Sequence, residues 1–528
     1  AGKTSLLNVL GGEVYRGVSG DILVNGQEVN AKKMKKISAF VYQDDVIMAT
    51  MTVTEAITFS AKLRLPSSMP LDRKIHAVDE VIDLLHLEKC RDVVIGNAMI
   101  KGVSGGERKR CAIAMEMVIN PAVLFLDEPT SGLDTYTAFS VVQTLKQLAA
   151  SGRTVVATLH QPSSELFHMF DDLTLMAMGR IMYMGESSQT VKYFADLGFQ
   201  CPNFTNPADF FFMEVLNTTD TMTAHKDTPA DSQAGLARQS ITSALSMVAD
   251  AMGVGTEGDK AADEVFYGDN GDERTLRLLD QWDQSSGAAK VNAYVRDVAR
   301  GQIEFHELKS QADYKTQFHE LGKRAVKNAI RDKMIVAVKV FQSVFMNTLG
   351  MCLRSACVMS VFADEKVVFY REFRSGFYKT LPYFVTKTGV EFPMILVTQF
   401  IGANISYWLI GFQVEALKFF IYYITTALMG LCGAALGILA MCWLPNLQAA
   451  SAILPLLMTA FMLFSGFYLN TDSTPVYFIW IQYLSPVYYG FQSVVVNEFE
   501  GLVFDCTGAT YGCYPTGEDV IASLGFEV

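Results

Sequence analysis

Beyond Lys418 the chain carries neither lysine nor arginine, through to its end at Val528. Charge is sparse throughout: 19% of residues are charged and 50% are hydrophobic, against the roughly 25% charged residues of an ordinary soluble protein. That shortage argues against a wholly soluble chain. Positive charge is also lacking in net, at -12, which excludes nucleic acid as the main partner, because backbone phosphates are bound by lysine and arginine. Metal-ligand spacing is absent from Cys90, Cys111 and Cys201, which lie scattered through the first part of the chain. No signal peptide is visible, but the chain begins inside a motif, so this says nothing about targeting.

What is present is unevenly spread. At 528 residues the chain is too long for one ordinary domain. The first two hundred residues read as a soluble mixture, 218–290 is rich in Asp, Ser, Gly and Ala, and from about 334 onward long apolar runs dominate. Lysine and arginine crowd 323–333 and 366–379. Basic residues beside apolar runs mark the cytoplasmic side of a membrane. Cys352, Cys357, Cys432 and Cys442 fall within the apolar runs and read as packing residues. Cys506 and Cys513 lie in the polar tail, expected outside the cell, where an oxidising compartment permits a disulfide between them.

Four short stretches carry chemistry. "GKTSLLNVL" (2–10) matches the second half of a G-x-x-x-x-G-K-[ST] loop. There Lys3 would reach the β- and γ-phosphates of ATP, Thr4 would offer its hydroxyl to Mg²⁺, and the backbone around Gly2 and Ser5 would cradle phosphate. "VLFLDEPTSGLD" (123–134) begins as a buried parallel strand and ends in two adjacent carboxylates. Asp127 would serve the metal and Glu128 the attacking water. "TVVATLH" (154–160) predicts a second strand with His160 at its end, where it either hydrogen-bonds the γ-phosphate or is structural. Gln43, in "VYQDD", is a further polar contact to Mg²⁺ or water. "VSGGERKR" (103–110) adds a second glycine-rich turn that leads into a basic stretch, where a following helix would aim free N–H groups at an anion.

These motifs stand in the order of an ATP-binding-cassette nucleotide domain, and their wording resembles the G, or White, subfamily of half-transporters. "TFSAKLRLP" (58–66), "NPADFF" (206–211) and "VFYREFRSGFY" (368–378) extend the likeness over nearly the whole chain. The resemblance implies an α/β P-loop nucleotide-binding domain followed by an all-α polytopic transmembrane domain. It also explains the second anion site. Such cassettes dimerise head to tail, so Ser104, Gly105 and Gly106 would close over the ATP held by the partner subunit, with Asp134 across the same interface. A second half-transporter, identical or different, is therefore implied, with ATP and Mg²⁺ as cofactors and a hydrophobic small molecule such as a lipid or sterol as cargo. A non-catalytic partner subunit is the alternative. A soluble cassette ATPase acting on ribosomes or DNA conflicts with the apolar runs.

The expected domains are a cassette at 1–216, a partly disordered polar linker at 217–317, an amphipathic connecting helix at 318–333, and a membrane domain at 334–528. The connecting helix would lie along the membrane surface. Within the membrane domain a cytoplasmic coupling helix is expected at 365–378 and an external cysteine-bearing region at 470–528. Spans are expected at 381–412, 417–443 and 450–469, each at least as long as the about 20 apolar residues a bilayer needs. The stretch 476–497 is broken by Ser485-Pro486 and reads as re-entrant or external. Compared with the family, the start of the cassette, part of the first hairpin and the last span are expected to be missing. Lys387 and Glu391, four apart, read as lying near the cytoplasmic end with Lys387 snorkelling, or else as a pair facing the pathway. Gly433 and Gly437 could allow close helix packing or be chance. An integral membrane protein is implied, at the plasma membrane rather than an internal one, with its nucleotide domain cytoplasmic.

Overall fold

A computed structural model describes residues 2–14, 16–97, 100–203, 205–216, 273–298, 312–331, 350–444, 446–469, 476–504 and 514–526. They fall into two compact units, 1–44 with 120–308 and 45–119 with 309–528. The second unit thus groups part of the expected cassette with the expected membrane domain.

In the first unit, Leu23–Val24 (β1) and Gln27–Glu28 (β2) form a hairpin through Asn25 and Gly26, whose φ angles are 49° and 76°. Both values are what a two-residue hairpin turn demands. Ser38–Val41 (β3) and Val123–Leu126 (β4) are buried at every position, as strands of a parallel sheet covered on both faces must be. Thr154–Ala157 (β5) completes a parallel sheet of order β3-β4-β5, with Ser38 opposite Val123 and Val123 opposite Thr154. Leu7, Val29, Met34, Ile37, Phe40 and Phe125 fill its core. The strand expected to reach His160 stops at Ala157. The Thr158 N–H still bonds Leu126 O at 3.0 Å, but β4 ends there and turns out through Glu128 at a φ of 45°.

Asp172–Ala177 (β6) and Arg180–Glu186 (β7) form an antiparallel pair. Two helices from the stretch read as linker, Glu273–Asp283 and Ser286–Val298, pack on it. Trp282 is 5% exposed, with its ring 5.4 Å from that of Tyr183 and 5.6 Å from that of Tyr193. A Cβ on Gly287 would lie 3.0 Å from the Trp282 ring, so glycine permits this approach. Arg180 reaches Asp280 at 3.0 Å and Asp283 at 2.6 Å. The rest of that stretch, 217–272 and 299–311, lies outside the described residues.

In the second unit, Val53–Arg64, Leu71–Leu84 and Gly105–Met117 are helices. Thr52 and Glu55 cap the first with a reciprocal pair of side chain–backbone bonds. Arg64 and Glu116 pair at 2.7 Å with side-chain exposures of 0% and 1%. The helix expected at 318–333 spans Tyr314–Arg331. Three of its basic residues meet carboxylates or rings of the protein, while Lys323 is exposed. Lys327 and Arg331 pair with Glu55 at 2.8 and 2.6 Å. Arg324 pairs with Glu372 at 2.5 Å and lies 4.3 Å above the Phe59 ring.

Glu55 gives a pH prediction. Burial raises its pKa, but hydrogen bonds from Arg331, Lys327 and the Thr52 N–H outweigh that and carry it from 4.5 to about 2. A depressed carboxylate stabilises the fold above its unfolded pKa, and that stability drains as pH falls towards the folded value. Glu55→Gln is therefore expected to melt below wild type at pH 7. The gap should narrow between pH 4.5 and about 2. Thermal melts across that range check this, and a gap independent of pH would contradict it.

The expected coupling helix is not a separate element. Residues 365–374 are the end of one 25-residue helix, Gly350–Arg374, and Gly376, at a φ of 76°, lies in the turn after it. Arg371 in this segment donates to Val46 O at 2.6 Å. Residues 332–349, which take in much of the 334–362 stretch where an incomplete first hairpin was expected, lie outside the described residues, as do Cys506 and Cys513. The side chains of Cys352 and Cys357 are likewise not described.

Two long apolar helices follow, Thr380–Ile410 and Ala416–Trp443, of 31 and 28 residues. At 1.5 Å per residue each exceeds the roughly 30 Å hydrocarbon core of a bilayer. Leu447–Leu463 is a shorter apolar helix than the expected 450–469 span. The Ala416–Trp443 helix buries Gly430, Gly433, Ala434 and Gly437, a small-residue face that lets other helices approach. Cys432 and Cys442, expected as packing residues, lie off this face and are exposed. The break at Ser485 is as expected, with helices Ile479–Leu484 and Pro486–Phe499 on either side. Lys387 does not snorkel: its side chain is 13% exposed and pairs with Glu365 at 2.7 Å and Glu391 at 3.4 Å.

Candidate functional site

The site of the first unit is assembled where three segments of chain end. Gly2 caps the helix Lys3–Leu10 with a φ of 87°, a left-handed conformation that glycine adopts without penalty. The first-turn N–H groups of such a helix have no intrahelical acceptor, and Thr4 and Ser5 there are exposed. They form the phosphate-facing end that the motif predicts.

Lys3 Nζ donates to the Leu159 carbonyl at 2.7 Å and lies 4.0 Å from Glu128 Oε1. Thr4 Oγ1 donates to Asp127 Oδ1 at 3.1 Å. Asp127, at the end of β4, is buried, at 6% exposure. Gln43, just past the end of β3, donates from Nε2 to Glu128 Oε2 at 2.8 Å. Five sequence-derived residues, Lys3, Thr4, Gln43, Asp127 and Glu128, are therefore brought together by two hydrogen bonds and one 4.0 Å ion pair. His160 lies one residue beyond Leu159 and is exposed. Asp134 is exposed and caps the helix Thr135–Ala150, where hydrogen bonds from Thr137 hold its carboxyl below the usual carboxylate range.

Thr158 was missed by the sequence reading. Its hydroxyl donates to Asp127 Oδ1 at 2.6 Å and accepts the Glu128 N–H at 2.9 Å. The only signal was its place two residues before His160, and a threonine at a strand end is otherwise unremarkable.

Ser104, Gly105 and Gly106 belong to the second unit. Ser104 caps the helix Gly105–Met117, with its backbone N–H and its hydroxyl each 2.8 Å from Glu107 Oε2. The bond from the Ser104 N–H is the main reason the Glu107 carboxyl sits below its usual value. Ser104 and Gly105 are exposed and Gly106 is buried.

The donor set fits Mg²⁺ held jointly with substrate. No cluster of three His, Cys, Asp or Glu side chains able to hold a metal ion occurs among the described residues. One carboxylate and one hydroxyl lie side by side at Asp127 and Thr4. Mg²⁺ is commonly bound by one or two carboxylates together with phosphate oxygens and water.

Comparison with known proteins accords with this geometry. Residues 1–131 match the ABC transporter family, and 160–355 and 344–499 match ABC-2 type transporter families. The chain is 33% identical over 562 residues to Protein white of Drosophila melanogaster, covering 100% of this chain and 76% of that one. It is 30% identical over 599 residues to ABC transporter G family member 1 of Dictyostelium discoideum, covering 100% and 75%. It is 31% identical over 570 residues to the Broad substrate specificity ATP-binding cassette transporter ABCG2 of Bos taurus, covering 100% and 82%.

Proposed function

This chain belongs to the G family of ABC transporters, as an ATP-hydrolysing, membrane-integral half-transporter, and we propose that two such subunits share two composite ATP sites that drive export of hydrophobic small molecules. The observation that carries this reading is the meeting of five residues: Thr4 and Gln43 hydrogen-bond Asp127 and Glu128 at 3.1 and 2.8 Å, and Lys3 lies 4.0 Å from Glu128. Lys3 neutralises the β- and γ-phosphates. Glu128 takes the proton of the attacking water, with its carboxylate steadied by Gln43. His160, exposed beside the Lys3 acceptor, contacts the γ-phosphate. Thr4 and Asp127 would hold Mg²⁺, with Gln43 beside them, and that ion supplies neutralisation of charge on the phosphate oxygens.

Ser104, Gly105 and Gly106 complete the site of the other subunit. Ser104 and Gly105 are exposed at the start of a 13-residue helix, the kind of terminus that receives an anion. Asp134 lies across the same interface. The cargo is a lipid, a sterol or another hydrophobic molecule, and the relative named for broad substrate specificity supports that breadth. The nucleotide domain is cytoplasmic and the membrane is the plasma membrane. Lysine and arginine at 366–379 and their absence after 418 support this orientation.

Complementation between copies tests the composite site. A Ser104→Arg chain and a Glu128→Gln chain, each purified alone in lipid, are expected to show little turnover. Coexpressed with different tags and purified through both, the mixed dimer unites one intact Glu128 with one intact Ser104 and regains phosphate release. A mixed dimer as inactive as its parents would overturn the composite site.

A further inference from the structure

Thr158 touches both halves of the carboxylate pair, and nothing in its sequence context required this. A hydroxyl has one proton and two lone pairs. Here the proton goes to Asp127 Oδ1 at 2.6 Å and a lone pair receives the Glu128 N–H at 2.9 Å. Thr4 donates to the same Asp127 oxygen at 3.1 Å. Two hydroxyl donors on one oxygen fix the rotation of a buried carboxylate. The short distance from Thr158 marks its bond as a charge-assisted one.

The second bond acts on backbone. Glu128 holds a φ of 45°, a left-handed conformation that side-chain-bearing residues avoid. That angle sets the direction in which its side chain leaves the chain, and so its reach to Gln43 at 2.8 Å and Lys3 at 4.0 Å. Thr158 is itself well anchored. Its N–H bonds Leu126 O at 3.0 Å, and a β-branched side chain has little freedom at χ1. The next residue, Leu159, offers the carbonyl to Lys3. One short segment after β5 therefore contacts the lysine, the metal-side carboxylate and the backbone of the water-side glutamate.

We propose that Thr158 is a positioning residue for ATP hydrolysis, whose single hydroxyl sets Asp127 and Glu128 in their working register. The inference rests on the roles given above to those two carboxylates. Valine at 158 keeps the shape but removes the hydroxyl. It leaves the Glu128 N–H without this acceptor and Asp127 Oδ1 with one donor fewer. Serine keeps the hydroxyl.

The test uses the full-length chain purified in lipid. T158V is expected to lower kcat by about 10- to 100-fold, the range for a slightly misplaced catalytic group. KM for ATP should stay within about 3-fold, since the lost interaction serves the transition state rather than binding. T158S is expected to restore most of kcat. A fluorescent ATP analogue in EDTA should bind T158V as it binds wild type, because the lysine loop is untouched. An unchanged kcat in T158V, a rise in KM alone, or a T158S rate as low as that of T158V overturns the proposal. Should T158V fail to fold, T158S and T158A carry the test: T158S near wild type with T158A well below supports it, and equal rates overturn it. Full turnover in Glu128→Gln would instead remove the site reading itself, whereas an inactive Glu128→Gln beside a fully active T158V removes this inference alone.

Discussion

Glu128→Gln is expected to lower ATP turnover by about 10²- to 10³-fold, some 3–4 kcal/mol of transition-state stabilisation, while nucleotide binding persists. The amide keeps the size of the side chain, and its oxygen can still accept the Gln43 bond that now measures 2.8 Å. What it loses is the negative charge facing Lys3 at 4.0 Å and the capacity to take a proton from water. Asp127, Thr4 and the Lys3–Leu10 helix are unchanged, so the phosphate-binding end remains. Phosphate release and binding of a fluorescent nucleotide, measured on the same preparation, check both halves. A variant that hydrolyses within a few-fold of wild type, or one that loses binding as well, would contradict the role given to Glu128.

Glu116→Ala is expected to destabilise the second unit by about 3–5 kcal/mol, the cost of leaving a buried charge without its partner. Arg64 has no exposed side-chain surface. Its guanidinium donates to Glu116 at 2.7 Å and Met115 O at 3.2 Å, and lies 4.6 Å above the Phe377 ring. Truncating Glu116 leaves a carbonyl, the Ser60 hydroxyl at 3.4 Å and a ring to compensate a full charge. A Glu116→Leu, Arg64→Met double variant should recover most of the loss, because removing both charges also removes their desolvation cost. Denaturant unfolding of the full chain checks the pair. A single variant as stable as wild type, or a double variant no better than the single one, would contradict this account of the Arg64 environment.

What could be read from the sequence had its signal within a few adjacent residues. The lysine loop, the Asp127–Glu128 pair and the strand before it are local patterns. The long spans announced themselves by length, expected at 381–412 and 417–443 and observed as Thr380–Ile410 and Ala416–Trp443. What could not be read depends on partners far away in the chain. Lys387 looked like a snorkelling lysine because Glu365, its 2.7 Å partner, lies 22 residues earlier. The basic face of Tyr314–Arg331 looked ready for a membrane surface because Glu55 lies more than 270 residues away. The helices at 273–298 hid in an acidic, small-residue stretch. There Leu278, Leu279 and Trp282 recur at helical spacing and dock on an aromatic cluster, but over 11 residues amid acidic and small ones the pattern is too short to stand out. Thr158 escaped because a hydroxyl's role is set by geometry, not by motif.

The central claim is that ATP hydrolysis at this site moves a hydrophobic molecule across the membrane. Inside-out vesicles containing the full chain, supplied with a labelled sterol, a labelled phospholipid and a lipophilic dye, test it most directly. The account predicts that at least one of these accumulates with ATP and Mg²⁺, but not with a non-hydrolysable analogue and not with Glu128→Gln. Equal accumulation in wild-type and Glu128→Gln vesicles, or none of any probe by chain that hydrolyses ATP, would contradict it.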